Sequence, residues 1–275
     1  MTKTSADNAG RPITARTFGF TLIELLVVVG VIAALLALAV PAFNSTGGSG
    51  NFVSQVYNLA ETLQEARAFA LANSTYVLAG IAEVSAMAPA LSTSGTPLGA
   101  GTGRVVIAIL ASNNGVRPYN AQNLVNWASS GYGTGGAFIT VSKLASFNNL
   151  HLVDLQSGAS QPSTSGNMMR PTVPAAYDIP NVSGTAATVI GWPLGQQLAS
   201  ASYVFTKVIE FDPQGSARVI TTAADFDSIV PEIEIGFQPS NGTVAPAAPT
   251  GSQNTGMLAA IQIDGMTGAS HIYRP

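Results

Sequence analysis

Glu24 is the residue of this sequence whose presence most demands a chemical reason. It closes the run Gly19-Phe20-Thr21-Leu22-Ile23-Glu24, at the start of a stretch of Leu, Val, Ile and Ala that continues to Val40. A charged side chain in an apolar segment of this kind costs at least about 2.5–3.5 kcal/mol on membrane-insertion scales. The cost makes sense if the chain is cut just before Phe20. The new ammonium group and Glu24 would then stand four positions apart, on one helix face. Both charges would need partners, because an unpaired buried ion is strongly disfavoured. When copies of such a helix pack together, Glu24 of one can meet the N-terminus of the next and fix the register of helices that would otherwise slide.

The remaining chemistry-bearing residues are sparse. His151 precedes Asp154 by three positions, and a serine could complete a triad, but serines occur throughout and the coincidence carries almost no information. His151 reads as a loop or strand residue, and His271 as a half-exposed sheet position. Asp225 and Asp227 are acceptable calcium ligands, yet two carboxylates without a third oxygen-rich neighbour make an incomplete site. The chain has no Gly-rich phosphate loop, no Gly-x-Ser-x-Gly elbow and no His-Glu-x-x-His pair. It has no cysteine, hence neither a disulfide framework nor a thiolate metal site. The expectation is therefore a protein that is not an enzyme, with no catalytic residue, no metal and no cofactor. A net charge of −3 offers no basic field for nucleic acid, and 7% aromatic residues give no stacking platform for it.

The segment Phe20–Val40, about 21 residues at 1.5 Å rise each, matches the roughly 30 Å core of a bilayer. Lys3, Arg11 and Arg16 precede it against Asp7 alone. The positive-inside rule then keeps the N-terminus cytoplasmic and exports the rest. The expected location is the bacterial inner membrane, with a single pass and lipid as one partner, followed by a periplasmic or surface filament. The alternative is a secretory signal peptide cut near Leu36-Ala37-Leu38-Ala39. The apolar stretch exceeds the roughly 7–15 residues of such a core, and a discarded segment has no use for Glu24.

Gly-Phe-Thr-Leu-Ile-Glu followed by about twenty apolar residues resembles the processing motif of type IV pilins and type II secretion pseudopilins. The resemblance implies cleavage between Gly19 and Phe20 by prepilin peptidase, N-methylation of Phe20, and an assembly role for Glu24 with Thr21, Leu22 and Ile23. A side chain at position 19 would crowd the scissile bond. Pro41 matches the position where helices of that family commonly kink, since a mid-helix proline removes a backbone bond. Phe18 stands where the family has Lys or Arg, and the nearest base is Arg16. Other pilins or pseudopilins are the implied filament partners.

The elements around the motif follow from periodicity. After Pro41, Asn44–Gly50 reads as a flexible or capping break, and Phe52–Ala79 as an amphipathic helix carrying Val53, Val56, Tyr57, Ala60, Leu63, Ala70 and Leu71 at helical spacing. Beyond Ile81, β-rich runs are expected at Arg104–Leu110, Ala137–Ser142, Tyr203–Asp212, Ala217–Thr221, Glu232–Phe237, Met257–Asp264 and Ser270–Tyr273. Asp212–Gly215 and Asp264–Gly268 read as hairpin turns. Ser92–Gly103, Gln156–Gly166 and Pro239–Asn254 read as long loops. The expected fold class is α+β and pilin-like: a long, partly transmembrane N-terminal helix, then an amphipathic helix, then an antiparallel sheet. The expected division is a leader at 1–19, a filament-core helix at 20–43, a linker and amphipathic helix at 44–80, and an exported β-rich domain at 81–275.

The helix Leu59–Ala70 and the late hairpins resemble those of H-class pseudopilins and related minor pilins. The closing Ile261–Asp264, Thr267-Gly268 and Tyr273–Pro275 are similar to the Verru_Chthon cassette protein D family. Together these resemblances imply a minor pilin or pseudopilin, a structural subunit of a type IV pilus-like or type II secretion filament. The alternative is a surface adhesion or substrate-binding pilin-like protein that contacts its ligand through the long loops.

Overall fold

The computed structural model describes residues 22–117, 138–155, 168, 170–180, 190–194, 198–220, 230–244 and 257–274, with only the helical backbone between 33 and 50. The chain divides into two compact units, 1–47 and 48–275. One α-helix, α1, runs over Leu22–Asn73. Asn44–Gly50 does not interrupt it: once a helix is nucleated, each added residue gains one backbone bond, which offsets the roughly 0.5–1 kcal/mol penalty of a Ser or Gly.

The helix ends at Asn73, not at Ala79. Ser74 takes the left-handed conformation (φ 49°), and the Thr75 N–H reaches back 3.1 Å to the Ala70 carbonyl. This is a six-to-one closing bond of the kind that terminates helices. The chain then enters β1 (Val77–Ser85), whose β-branched and small residues suit a sheet.

The strands of unit 2 form antiparallel sheets. The first runs β3 (Phe138–Thr140), β2 (Gly103–Ser112), β1, β8 (Lys207–Phe211) and β9 (Ala217–Val219), with β4 (Ala145–Asn148) also paired to β2. The second runs β12 (Ser270–Tyr273), β11 (Ala259–Asp264), β10 (Glu232–Pro239) and β5 (Leu150–Leu152). A two-stranded ribbon joins β6 (Ile190–Trp192) to β7 (Tyr203–Phe205). Tyr203–Asp212, expected as one strand, breaks at Thr206 into β7 and β8, which lie in different sheets.

Both faces of the first sheet are apolar, as period-two alternation requires of a doubly covered sheet. Val77, Ala79, Ile81, Val105, Ile107 and Ile109 share a core with Val56, Leu59 and Leu63 of α1 and with Ile233, Ile235 and Ile261 of the second sheet. Leu78, Val106, Ala108 and Leu110 point the other way, into a cluster with Ile190, Tyr203 and Phe205. Gly80 admits the ribbon closely, because a Cβ there would lie 2.8 Å from Phe205 Cγ.

Both expected hairpin turns are present. Asp212 Oδ1 accepts hydrogen bonds from the N–H groups of Gln214 and Ser216, each at 2.9 Å, and Gly215 has φ 85°. Asp264 Oδ1 accepts from Thr267 N–H at 2.6 Å, and that bond holds the Asp264 carboxyl below its ordinary range. The second turn docks on α1, where Arg67 Nε donates to the Thr267 carbonyl at 2.6 Å.

Two expectations are corrected. The fold is not the α+β, pilin-like succession of a partly transmembrane helix, a separate amphipathic helix and one sheet. It has a single helix, Leu22–Asn73, and a predominantly antiparallel β body of twelve described strands in three sheets. The single-pass location in an inner membrane is corrected as well, because among the described residues no helix is long and apolar enough to cross a membrane. The physical reason is length. The described apolar part, Leu22–Ile32, spans about 16 Å at 1.5 Å per residue, half of a bilayer core.

Candidate functional site

Within unit 1, Leu22, Ile23 and Glu24 occupy the first turn of α1, with Glu24 its acidic residue. A carboxylate there complements the partial positive charge of the helix N-terminus. Gly19, Phe20 and Thr21 lie outside the described residues. Pro41 falls within the helix. Leu22, Ile23, Leu25, Leu26, Val27, Val28, Val29, Val31 and Ile32 are all exposed, from 48% to 82%. Successive residues point around the whole helix circumference, so this surface is apolar on every side. A helix of that character is ordinarily buried.

Unit 2 holds the charged residues that sequence periodicity did not single out. Glu83, in β1, is the hub of a first group. Its Oε1 lies 2.8 Å from His151 Nδ1 and accepts from Gly103 N–H at 3.0 Å, while Oε2 accepts from Leu152 N–H at 3.2 Å. The carboxylate thereby ties β5 to the edge between β1 and β2. His151 is thus a strand residue in β5, paired with a glutamate. Asp154 bonds elsewhere, so the conceivable His151–Asp154–Ser triad is not assembled. His271 lies in β12 and is exposed.

A second group is more deeply buried. Arg170 clasps Glu234 of β10 through Nε–Oε2 at 2.6 Å and Nη2–Oε1 at 3.0 Å. Gln262 of β11 donates to Glu234 Oε2 and to the Pro171 carbonyl, each at 2.7 Å. Asp178 is fully buried, and its backbone bridges Glu234. Burial pushes the Asp178 carboxyl up to about 9, helped by a hydrogen bond with Asp154 and the nearby Glu234 charge, while Arg170 pulls the other way. Asp178 is therefore protonated at neutral pH. Between them these contacts pin the segment 170–180 against the second sheet.

Lys207, at the start of β8, holds the far end of that segment. Its Nζ donates to the carbonyls of Ile179 (2.7 Å) and Pro180 (2.8 Å). Burial lowers the pKa of its ammonium, opposed by Asp178 and Glu83. Lys207 and Glu83 line a cavity of about 420 Å³, whose walls include Ile81, Val84, Leu98 and Val204. The loop over it is fastened by Arg104, which donates to the Ala88 and Pro89 carbonyls, and by the Tyr203 hydroxyl on the Ala90 carbonyl at 2.6 Å.

A third pair, Arg117 with the buried Glu210 of β8, is bidentate and has the guanidinium 5.3 Å above the Tyr76 ring. Burial raises the Glu210 carboxyl above its usual range, against the pull of Arg117.

Among the described residues no group of three or more His, Asp or Glu is arranged to hold a metal ion. Asp225 and Asp227 lie outside them. One sequence signal could have flagged the buried groups. With only 9% charged residues in the chain, a charge inside an apolar β run, such as Glu234 in Glu-Ile-Glu-Ile or Lys207 in Phe-Thr-Lys-Val, is costly enough to require a partner. No family model, no curated protein and no solved structure matches this chain.

Proposed function

We propose that this protein is a minor pilin or pseudopilin, a structural subunit matured by prepilin peptidase between Gly19 and Phe20 and packed into a filament through its N-terminal helix. The observation that carries the reading is the stretch Leu22–Ile32, whose described side chains are apolar and exposed around the whole helix, with one carboxylate in the first turn. Such a surface is stable only when covered. Copies or relatives of the same helix cover it in a way that also gives Glu24 a partner, the ammonium of a neighbouring matured N-terminus. The Gly19–Glu24 motif supplies the cut that creates that ammonium. Unit 2 supports a structural part, because its buried charges are spent on holding its own segments.

The test has two arms. Mass spectrometry of the mature protein is expected to find Phe20 as its first residue, N-methylated; a start near Val40 would mean a signal peptide instead. Glu24→Gln is expected to abolish filament assembly, read by sedimentation and electron microscopy, while the melting temperature of unit 2 stays unchanged. Normal filaments from Glu24→Gln subunits overturn the reading.

A further inference from the structure

Lys207 is one of three lysines in the chain, with Lys3 and Lys143. It is the one placed in a cavity, and its placement differs from that of an ordinary surface lysine. The cavity of about 420 Å³ has the size of a small-molecule site and mostly apolar walls, from Ile81, Val84, Leu98, Leu152 and Val204. Two of the N–H groups of Nζ are taken by the Ile179 and Pro180 carbonyls, at 2.7 and 2.8 Å. A neutral primary amine has just two N–H groups and one lone pair. The two carbonyls therefore satisfy the neutral amine fully, whereas the ammonium has a third proton to place.

The charges around Nζ favour the same state. Asp178 is protonated at neutral pH because its carboxyl is pushed up to about 9, so it does not stabilise a cation as a carboxylate would. Glu83 is an anion already engaged by Gly103 N–H, Leu152 N–H and His151. Burial lowers the Lys207 pKa in keeping with this geometry. A desolvated lysine in an apolar pocket is the setting in which an amine becomes a nucleophile toward carbonyl carbon.

We propose that Lys207 is the anchoring amine of a covalent binding site for small apolar aldehydes, held in the cavity as an imine. In the step, the Nζ lone pair attacks the carbonyl carbon, a C–N bond forms, and the oxygen takes up a proton to give a carbinolamine. Loss of the hydroxyl as water, with the second amine proton, leaves the C=N bond. No electron carrier is needed, and water reverses the step. Of the two amine hydrogens, both are lost in forming a neutral imine, so binding releases the Ile179 and Pro180 carbonyls from Lys207. The site thereby couples occupancy to the hold on segment 170–180.

The probe is butanal, added to the full chain near neutral pH with cyanoborohydride to trap the imine, followed by peptide mapping. Lys143, which is exposed, is the internal standard. Lys207 is expected to be alkylated at least about tenfold faster than Lys143, since each unit by which an amine's pKa falls raises its neutral fraction tenfold. The labelling is expected to saturate with butanal. Val204→Phe, which fills the cavity, is expected to cut labelling of Lys207 and leave that of Lys143 unchanged. Labelling of Lys207 no faster than Lys143 in the folded wild type, or labelling unaffected by a folded Val204→Phe protein, overturns the proposal.

Discussion

The two units treat the hydrophobic effect and charge in opposite ways. In unit 1, leucines, valines and isoleucines stand in the open, and the charge among them, Glu24, sits at the helix end. In unit 2, the same apolar types are buried to the last percent, and Glu234, Glu210, Asp178 and Arg104 are buried with them. A buried charge is tolerable in unit 2 because each has fixed partners from neighbouring strands and loops, as Glu234 has Arg170 and Gln262. Unit 1 has no such neighbours of its own along Leu22–Ile32, so its apolar surface is stable only when another molecule covers it. One region has finished its packing, and the other has packing still to gain.

The sharpest way to break this contrast is to strand a charge in unit 2. Arg170→Met leaves Glu234 buried without its guanidinium, which is expected to cost about 3–5 kcal/mol in chemical denaturation. A loss below about 1 kcal/mol would mean that Glu234 is paired well enough by Gln262 alone.

The next test uses one substitution in both regions of one helix. Leu63→Ala removes a fully buried side chain and is expected to cost about 2–5 kcal/mol. Leu26→Ala, 65% exposed, is expected to change the stability of the unassembled chain by no more than about 0.5 kcal/mol. Equal losses at the two sites, read by thermal melting, would erase the distinction.

The smallest expected effect is a slope. Asp178 keeps its proton in the folded state up to about 9 but releases it near 3.8 when unfolded. Between these values the folded state binds more protons, so stability falls as pH rises, and the loss is complete above about 9. The slope from one such group is at most about 1.4 kcal/mol per pH unit. Asp178→Asn mimics the protonated form and is expected to flatten that decline while leaving the protein folded at pH 5–9. Glu210, also raised by burial, slopes the same way, so the readout is the difference between wild type and variant. An unchanged slope in Asp178→Asn would place the proton elsewhere in the cluster.

Local pattern made part of this legible. The strands at Arg104–Leu110, Glu232–Phe237, Met257–Asp264 and Ser270–Tyr273 are written in β-branched residues. The two Asp-x-x-Gly turns are written in the one residue type that takes positive φ freely. Val77–Ser85 was hidden, since Val-Leu-Ala-Gly-Ile-Ala continues the apolar spacing of the preceding helix, and the stop signal is a single Ser74 in the left-handed region. The break expected at Asn44–Gly50 was over-read, because glycine and serine propensities are small against helix propagation from both sides. The apolar run after Phe20 was read as a bilayer span from its composition, and the described helix does not meet that length.

What the sequence alone determined is what depends on neighbours within a few residues: the Gly19–Glu24 motif, the helical face of Val56, Leu59 and Leu63, the turns, and the alternation of the long strands. Tertiary structure decided which distant groups meet. Glu83 finds His151 across 68 positions, Glu234 finds Arg170 across 64, and Lys207 finds Ile179 across 28. Such pairs form because several strands and a loop converge, and their energy comes from desolvation that exists only once the sheets have closed over them.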